Sequence, residues 1–194
     1  MKAKKALTAL AIAGILITPE VARGEKRSID LARSTMKVHV YRTGLFAAFA
    51  HDHEIEAPIA RGEVENAAPA GVWLEVDTRK LRVLDPKLSE KKRAEVQSTM
   101  DGPKVLDSRR FPEIRFQSTE AVQVGVGHWT LHGMLTLHGQ TRPVAVDVTE
   151  KNGRYRGSAT LKQRDFGITP VTLAGWTVRV KDEVRVEFEI VLAQ

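Results

Sequence analysis

Two histidines bracket an aspartate at His51-Asp52-His53, inside the stretch HDHEIEAPIA that spans residues 51–60. His-x-His is a spacing that metal sites use, and histidine also serves as a general base or as the partner of a nucleophile. On a strand the side chains alternate, so His51, His53, Ile55, Ala57 and Ile59 share one face while Asp52, Glu54 and Glu56 share the other. The isoleucines mark the inward face. Both histidines then point inward and the three carboxylates point to solvent. A metal centre needs at least three protein ligands, and this stretch supplies two, so a third would come from another strand. His132 and His138 alternate against leucines and His39 against Val38 and Val40, which turns all three outward; His128 lies at a turn. No serine arrangement accompanies the pair, and the chain has no cysteine.

The elements that must position these residues read mostly as strands. In VRVEFEIVL, Val184, Val186, Phe188, Ile190 and Leu192 alternate with Arg185, Glu187 and Glu189, the period of a strand with one dry face. The same alternation recurs in TMKVHVY, GVWLEVDT, EIRFQS, EAVQVGV, HWTLHGMLTLHG, RPVAVDVTE and RYRGSATLK. Asn152-Gly153 marks a hairpin, and GQTRP joins two further runs. Eight or nine short strands with tight turns predict an all-β antiparallel barrel or sandwich. One helical insertion interrupts them near residues 89–101: Ser89 caps it, Arg93, Val96 and Met100 recur at helical spacing, and Asp101-Gly102-Pro103 stops it. Lys91, Lys92 and Arg93 read as its solvated face.

In a closed barrel the apolar parity faces inward. The interior then receives Val38, Val40, Leu74, Val76, Ile114, Phe116, Leu131, Leu135, Val144, Val146, Phe188 and Ile190, with Gly133, Gly157 and Ala159 as small positions that favour a cavity. This lining either fills the barrel or surrounds a ligand. Each buried CH₂ contributes roughly 0.8 kcal/mol, so an apolar tail suits such an interior, with a few polar groups at one end setting specificity. His51 and His53 would then bind a polar head, since neutral histidine offers one donor and one acceptor. Their alternative is a structural pair bonded to backbone, Thr43 or Asp165.

The ends of the chain speak to its destination. Lys2, Lys4 and Lys5 precede an uncharged run over residues 6–17, shorter than the roughly 20 residues a bilayer span needs. Ala22-Arg23-Gly24 follows. This is the pattern of a secretory signal peptide over residues 1–24, with the mature chain starting near Glu25; an uncleaved anchor is the alternative. Of the formal charge of +6, residues 1–24 carry +3, from Lys2, Lys4, Lys5 and Arg23 against Glu20. The basic balance is therefore partly that of the export signal and does not point to nucleic acid. Without cysteine an exported domain relies on its core rather than on disulfides. Residues 25–194 read as one domain, with no stable membrane span once the leader is removed.

Three stretches together carry a family resemblance. VLDSRRFPEIRFQST has Leu106-Asp107, Phe111-Pro112 and Ile114-x-Phe116-x-Ser118. GMLTLHGQTRPVAVDV has Gly133, Leu135-Thr136, His138-Gly139, Thr141 and Pro143. QRDFGIT, with Asp165-Phe166-Gly167, is later followed by VKDEVRVEFEI. In this order and at these distances they resemble the YceI-like family of bacterial lipocalin-like proteins, over about Ser28 to Leu192. Asp165-Phe166-Gly167 lacks the other kinase signatures and reads as a turn between barrel segments. The resemblance implies a lipocalin-like antiparallel barrel of about eight strands that holds a long-chain amphiphile such as a polyisoprenoid, an isoprenoid quinone or a fatty-acid derivative in the periplasm. It implies no required cofactor and no catalytic residues; His138 takes a structural hydrogen-bonding role. The HDH motif departs from the commoner family pattern and resembles a subgroup, which bears on the ligand and not on the fold. Two barrels pairing through an exposed strand or the helical segment would make a homodimer. The competing expectations are a metal-binding or enzymatic barrel that uses His51 and His53, and a structural module with a filled core.

Overall fold

The structure is a computed structural model that describes residues 25–43, 52–65, 71–173 and 178–194; the expected leader over residues 1–24 and His51 lie outside the described residues. The strands are β1 (Lys26–Ser28), β2 (Thr35–Thr43), β3 (His53–Glu56), β4 (Ile59–Glu65), β5 (Gly71–Asp77), β6 (Arg82–Val83), β7 (Glu113–Gly125), β8 (His128–Leu137), β9 (Gln140–Lys151), β10 (Arg154–Lys162), β11 (Thr172–Leu173) and β12 (Val178–Val191), with one α-helix, α1 (Glu90–Asp101). All pairings are antiparallel, in the order β1-β4-β5-β7-β8-β9-β10-β12-β2-β3-β6, with β11 added on β12.

The strand count is twelve, where about eight were expected. The difference lies in short pieces and in one bend. Proline has no N–H to give a ladder, and Pro58 divides a single run into β3, which pairs with β2, and β4, which pairs with β5. Passing from one neighbour to the other, this bent strand curls the sheet into a barrel. An isolated bridge between Ile29 and Leu192 ties the β1 edge to the end of β12. Counting β3 and β4 together and setting aside β1, β6 and β11, eight strands remain around the ring. EIRFQS and EAVQVGV, read as two strands, are one: β7 runs through both, with a register shift against β8 between Ser118 and Glu120 that resets which side chains face inward.

The turns follow from residues that accept positive φ. Asn152 and Gly153 take φ 55° and 72° between β9 and β10, the two-residue hairpin their pairing predicts. The β8–β9 turn sits at His138-Gly139, φ 50° and 71°, one step before the expected GQTRP. A histidine there is held in place: its Nδ1 lies 3.2 Å from the Phe166 carbonyl and its ring meets Phe111 edge-on at 4.5 Å. Asp165-Phe166 belongs to a 3₁₀ turn that Gly167 ends at φ 74°.

The barrel has two different ends. At the end where β8 turns into β9, α1 and the segments around it close the interior with buried Leu81, Met100, Leu106, Phe166 and Ile168. Ser89 caps α1 by accepting from Lys92 N–H. Gln97 pins the helix by accepting from Val83 N–H at 2.9 Å and donating to the Leu81 carbonyl at 3.0 Å. Lys91 and Lys92 stay exposed. The other end carries the β7–β8 and β9–β10 hairpin turns.

Gly133 and Gly157 do not open the interior as expected. A methyl group at Gly133 would lie within 2.6 Å of the Phe116 ring and the Gln117 carbonyl, and one at Gly157 would collide with the Phe188 ring and the Asp147 carbonyl. The two aromatic rings lean over the glycines and take the space. Gly157→Ala is therefore overpacking against fixed backbone, which typically costs about 1–3 kcal/mol. Denaturant unfolding of this variant should show a loss of that order; unchanged stability would contradict the packing.

Candidate functional site

Alternation along the ring directs one face of every long strand inward. The result is a cavity of about 340 Å³ whose lining is almost wholly aliphatic and aromatic. The twelve strand positions that alternation assigns to the interior all stand on its wall. Alternation alone did not reveal the closing wall, where Leu81, Met100, Val105, Leu106 and Ile168 line the same space; of these only Met100 carried a signal, its helical spacing. Trp129 and Tyr155 line the hairpin end. Two strongly polar residues reach the lining, and both are engaged: Glu65 faces Lys26 at 3.6 Å, and Gln163 donates to the Lys181 carbonyl at 2.8 Å. Ser118, buried on the same face, accepts from Val72 N–H at 2.7 Å.

Polar side chains gather at one place on the inward parity, beside the closed end. His53 opens β3 opposite Val40 and is 8% exposed. Its Nδ1 hydrogen-bonds Asp85 Oδ2, and Arg42 Nη2 lies 2.5 Å from its Nε2. Arginine has only donors and a carboxylate only acceptors. The arrangement therefore requires neutral His53 with its proton on Nδ1: Nδ1–H donates to Asp85, and Nε2 accepts from Arg42. Asp85, 5% exposed, satisfies its other oxygen by accepting Glu54 N–H at 2.9 Å. The expected partners Thr43 and Asp165 play no part in this. Both ring nitrogens of His53 are thus engaged, which leaves it no free lone pair for a metal ion. Burial pushes the Arg42 guanidinium below the usual arginine value, against the opposing pull of the Asp85 and Asp52 carboxylates.

The outward face behaves as alternation predicts. Asp52 is exposed and accepts Arg42 backbone N–H at 3.0 Å, and Glu54 pairs with Lys37 at 2.7 Å. His39 lies 3.4 Å from Glu187 on the outer surface. Arg42 and Asp85 were not singled out in the sequence. Arg42 was within reach, because it continues the 38, 40, 42 alternation. Asp85 lies 32 residues beyond His53, and nothing in its neighbourhood signals the contact. Among the described residues, no helix is long and apolar enough to cross a membrane.

A closed antiparallel barrel with an apolar interior and one helical closure defines a lipocalin-like architecture. The chain belongs to the YceI-like family: the model of the YceI-like domain matches residues 27–192. A UPF0312 protein of Vibrio cholerae serotype O1 is 26% identical over 178 residues, covering 85% of this chain and 89% of the relative. One from Shewanella sp. strain MR-7 is 28% identical over 183 residues, covering 85% and 88%. Among solved structures, Burkholderia cenocepacia BcnA superposes with a TM-score of 0.65 at 20% identity, covering 86% of this chain and 99% of that one. A polyisoprenoid binding domain from Saccharophagus degradans superposes with a TM-score of 0.55 at 11% identity, covering 87% and 97%. These likenesses are of fold.

Removing the Asp85 carboxylate strands a buried histidine N–H and the Glu54 N–H. An unsatisfied buried group costs about 1–3 kcal/mol. Asp85→Ala should lose at least that much unfolding free energy, and a double-mutant cycle with His53→Ala should show coupling of about 1 kcal/mol or more. Additive losses would mean that the pair does not act as one unit.

Proposed function

We propose that this protein is a non-catalytic carrier that holds one long-chain amphiphile in its barrel. The observation that carries the reading is the cavity: about 340 Å³, bounded by apolar side chains from all eight strands of the ring, with its two strongly polar lining residues already paired. Small-molecule pockets run from about 300 to 1,000 Å³, so the space suits a single chain better than a two-chain lipid. A polyisoprenoid, an isoprenoid quinone or a fatty-acid derivative has the required tail, and the Saccharophagus degradans fold relative is described as polyisoprenoid-binding. The basic start, the uncharged run over residues 6–17 and the small-residue exit support export, which would put the carrier in the periplasm or the medium with a mature chain from about Glu25.

Organic extraction of the purified protein followed by mass spectrometry tests this. The expected result is one long-chain amphiphile at near-equal stoichiometry, strongly depleted in Ala159→Phe, which fills the cavity wall. An extract without amphiphile, and no uptake of added prenyl or acyl chains, would contradict the proposal. A transition metal retained through dialysis in place of lipid would favour the metal-site alternative.

A further inference from the structure

Charge is spread unevenly over the barrel. Residues 79–110 run from the turn after β5 through β6 and α1 to the segment before β7, and they carry ten basic and five acidic side chains, a net +5. Residues 25–194 as a whole net +3, so the remainder of the barrel nets −2. Three of the five acids are already committed: Asp85 to His53 and Glu54 N–H, Asp101 to Gln97 at 3.0 Å, and Asp107 to Arg110 at 3.5 Å. Lys87, Lys91, Lys92, Lys104 and Arg109 are exposed, and none stands at ion-pair distance from a carboxylate among the described residues.

The same segments are the closing wall of the cavity. Leu81, Met100, Val105 and Leu106 line it from within, and Met100 is the one buried residue of α1. A single thin layer thus has an apolar space on its inner side and a basic surface on its outer side. The kind of basic side chain bears on the partner. Arginine forks suit fixed carboxylates, and Arg79 and Arg110 already hold Asp77 and Asp107. What remains is mostly lysine, a mobile point charge. Diffuse negative charge on a bilayer attracts such segments without requiring a fixed geometry. A water-insoluble amphiphile also resides in bilayers, so a carrier must meet one to load. Resting on the carrier reading above, we infer that the α1 end is the docking face of the protein for an anionic lipid surface, from which it takes its cargo. Val124 and Val126 stand exposed on the β7–β8 hairpin at the other end; docking through them would be insensitive to lipid charge.

The test uses the chain from Glu25, which holds the whole closed barrel and its core, so that the basic leader contributes nothing. Vesicles of phosphatidylcholine, alone or mixed with phosphatidylglycerol, are sedimented with the protein. Binding should require phosphatidylglycerol and fall steeply with added salt. Lys91→Gln and Lys92→Gln should each lower it about fivefold, while Lys151→Gln on the β9–β10 turn should leave it unchanged. Equal binding to both vesicle types would overturn the proposal and point to the hairpin. Equal losses from all three variants would overturn it as well, since net charge alone would then explain the binding. No binding to either vesicle would leave the basic face to an acidic protein and remove the lipid surface. Because the chain has no cysteine, a polarity-sensitive fluorophore can be placed by Ser98→Cys on α1 or by Asn152→Cys on the β9–β10 turn. Phosphatidylglycerol vesicles should shift only the first to the blue; a shift confined to the second sinks the assignment. Transfer of a fluorescent acyl chain from loaded protein to vesicles should speed up with phosphatidylglycerol and slow in the lysine variants; a rate indifferent to both would separate docking from loading and contradict the inference. Vesicle binding without uptake of any chain would remove the carrier reading and spare the docking face, whereas uptake without vesicle binding would do the reverse.

Discussion

Closing a ring of long strands around an interior is the constraint from which the other features follow. Each strand must turn every second residue inward, and a ring of this size leaves space that aliphatic side chains do not fill. The ring closes because one strand serves two neighbours: β3 pairs with β2, β4 pairs with β5, and Pro58 between them carries the change of partner. Shorter strands or a straight run through residues 53–65 would leave an open sheet. The space would then collapse or flood, and the apolar lining would have no purpose.

Beside that lining, where Glu65 is the one charged residue, the Arg42–His53–Asp85 cluster stands out as charge gathered on the inward parity. A buried charged group is retained only when partners offset its desolvation. Here they do so in sequence. Asp85 takes the His53 proton and the Glu54 N–H, and His53 in turn takes one donor from Arg42. The contact also joins the first residue of β3 to the chain just before α1, so the polar cluster and the closure of the barrel end are mechanically linked. Leu84 N–H donating to the Glu54 carbonyl at 2.8 Å strengthens the same junction.

Much of this was legible from period-2 alternation. It placed Val38 through Ile190 on the wall, turned His53 inward and Asp52 outward, and separated the Ser89-capped helix from the strands. Other features were not legible for identifiable reasons. The shift at Ser118/Glu120 broke the alternation and made one strand look like two. Gly133 and Gly157 looked like open space because a sequence does not show that the Phe116 and Phe188 rings lie over them. Arg42 was legible in principle, but a charged residue at the end of an apolar parity is easily read as solvent-exposed. Asp85 is brought to His53 only by the pairing of β6 with β3, a contact between segments far apart in the chain with no local pattern to announce it.

The central claim is that the interior recognises an apolar chain by burying it. Affinity measured along a series of straight-chain methyl ketones of increasing length tests this most directly. Each added CH₂ buried in the cavity contributes roughly 0.8 kcal/mol, so affinity should rise about fourfold per carbon and then level off when the chain outgrows the space. Affinity that does not change with chain length would contradict the account.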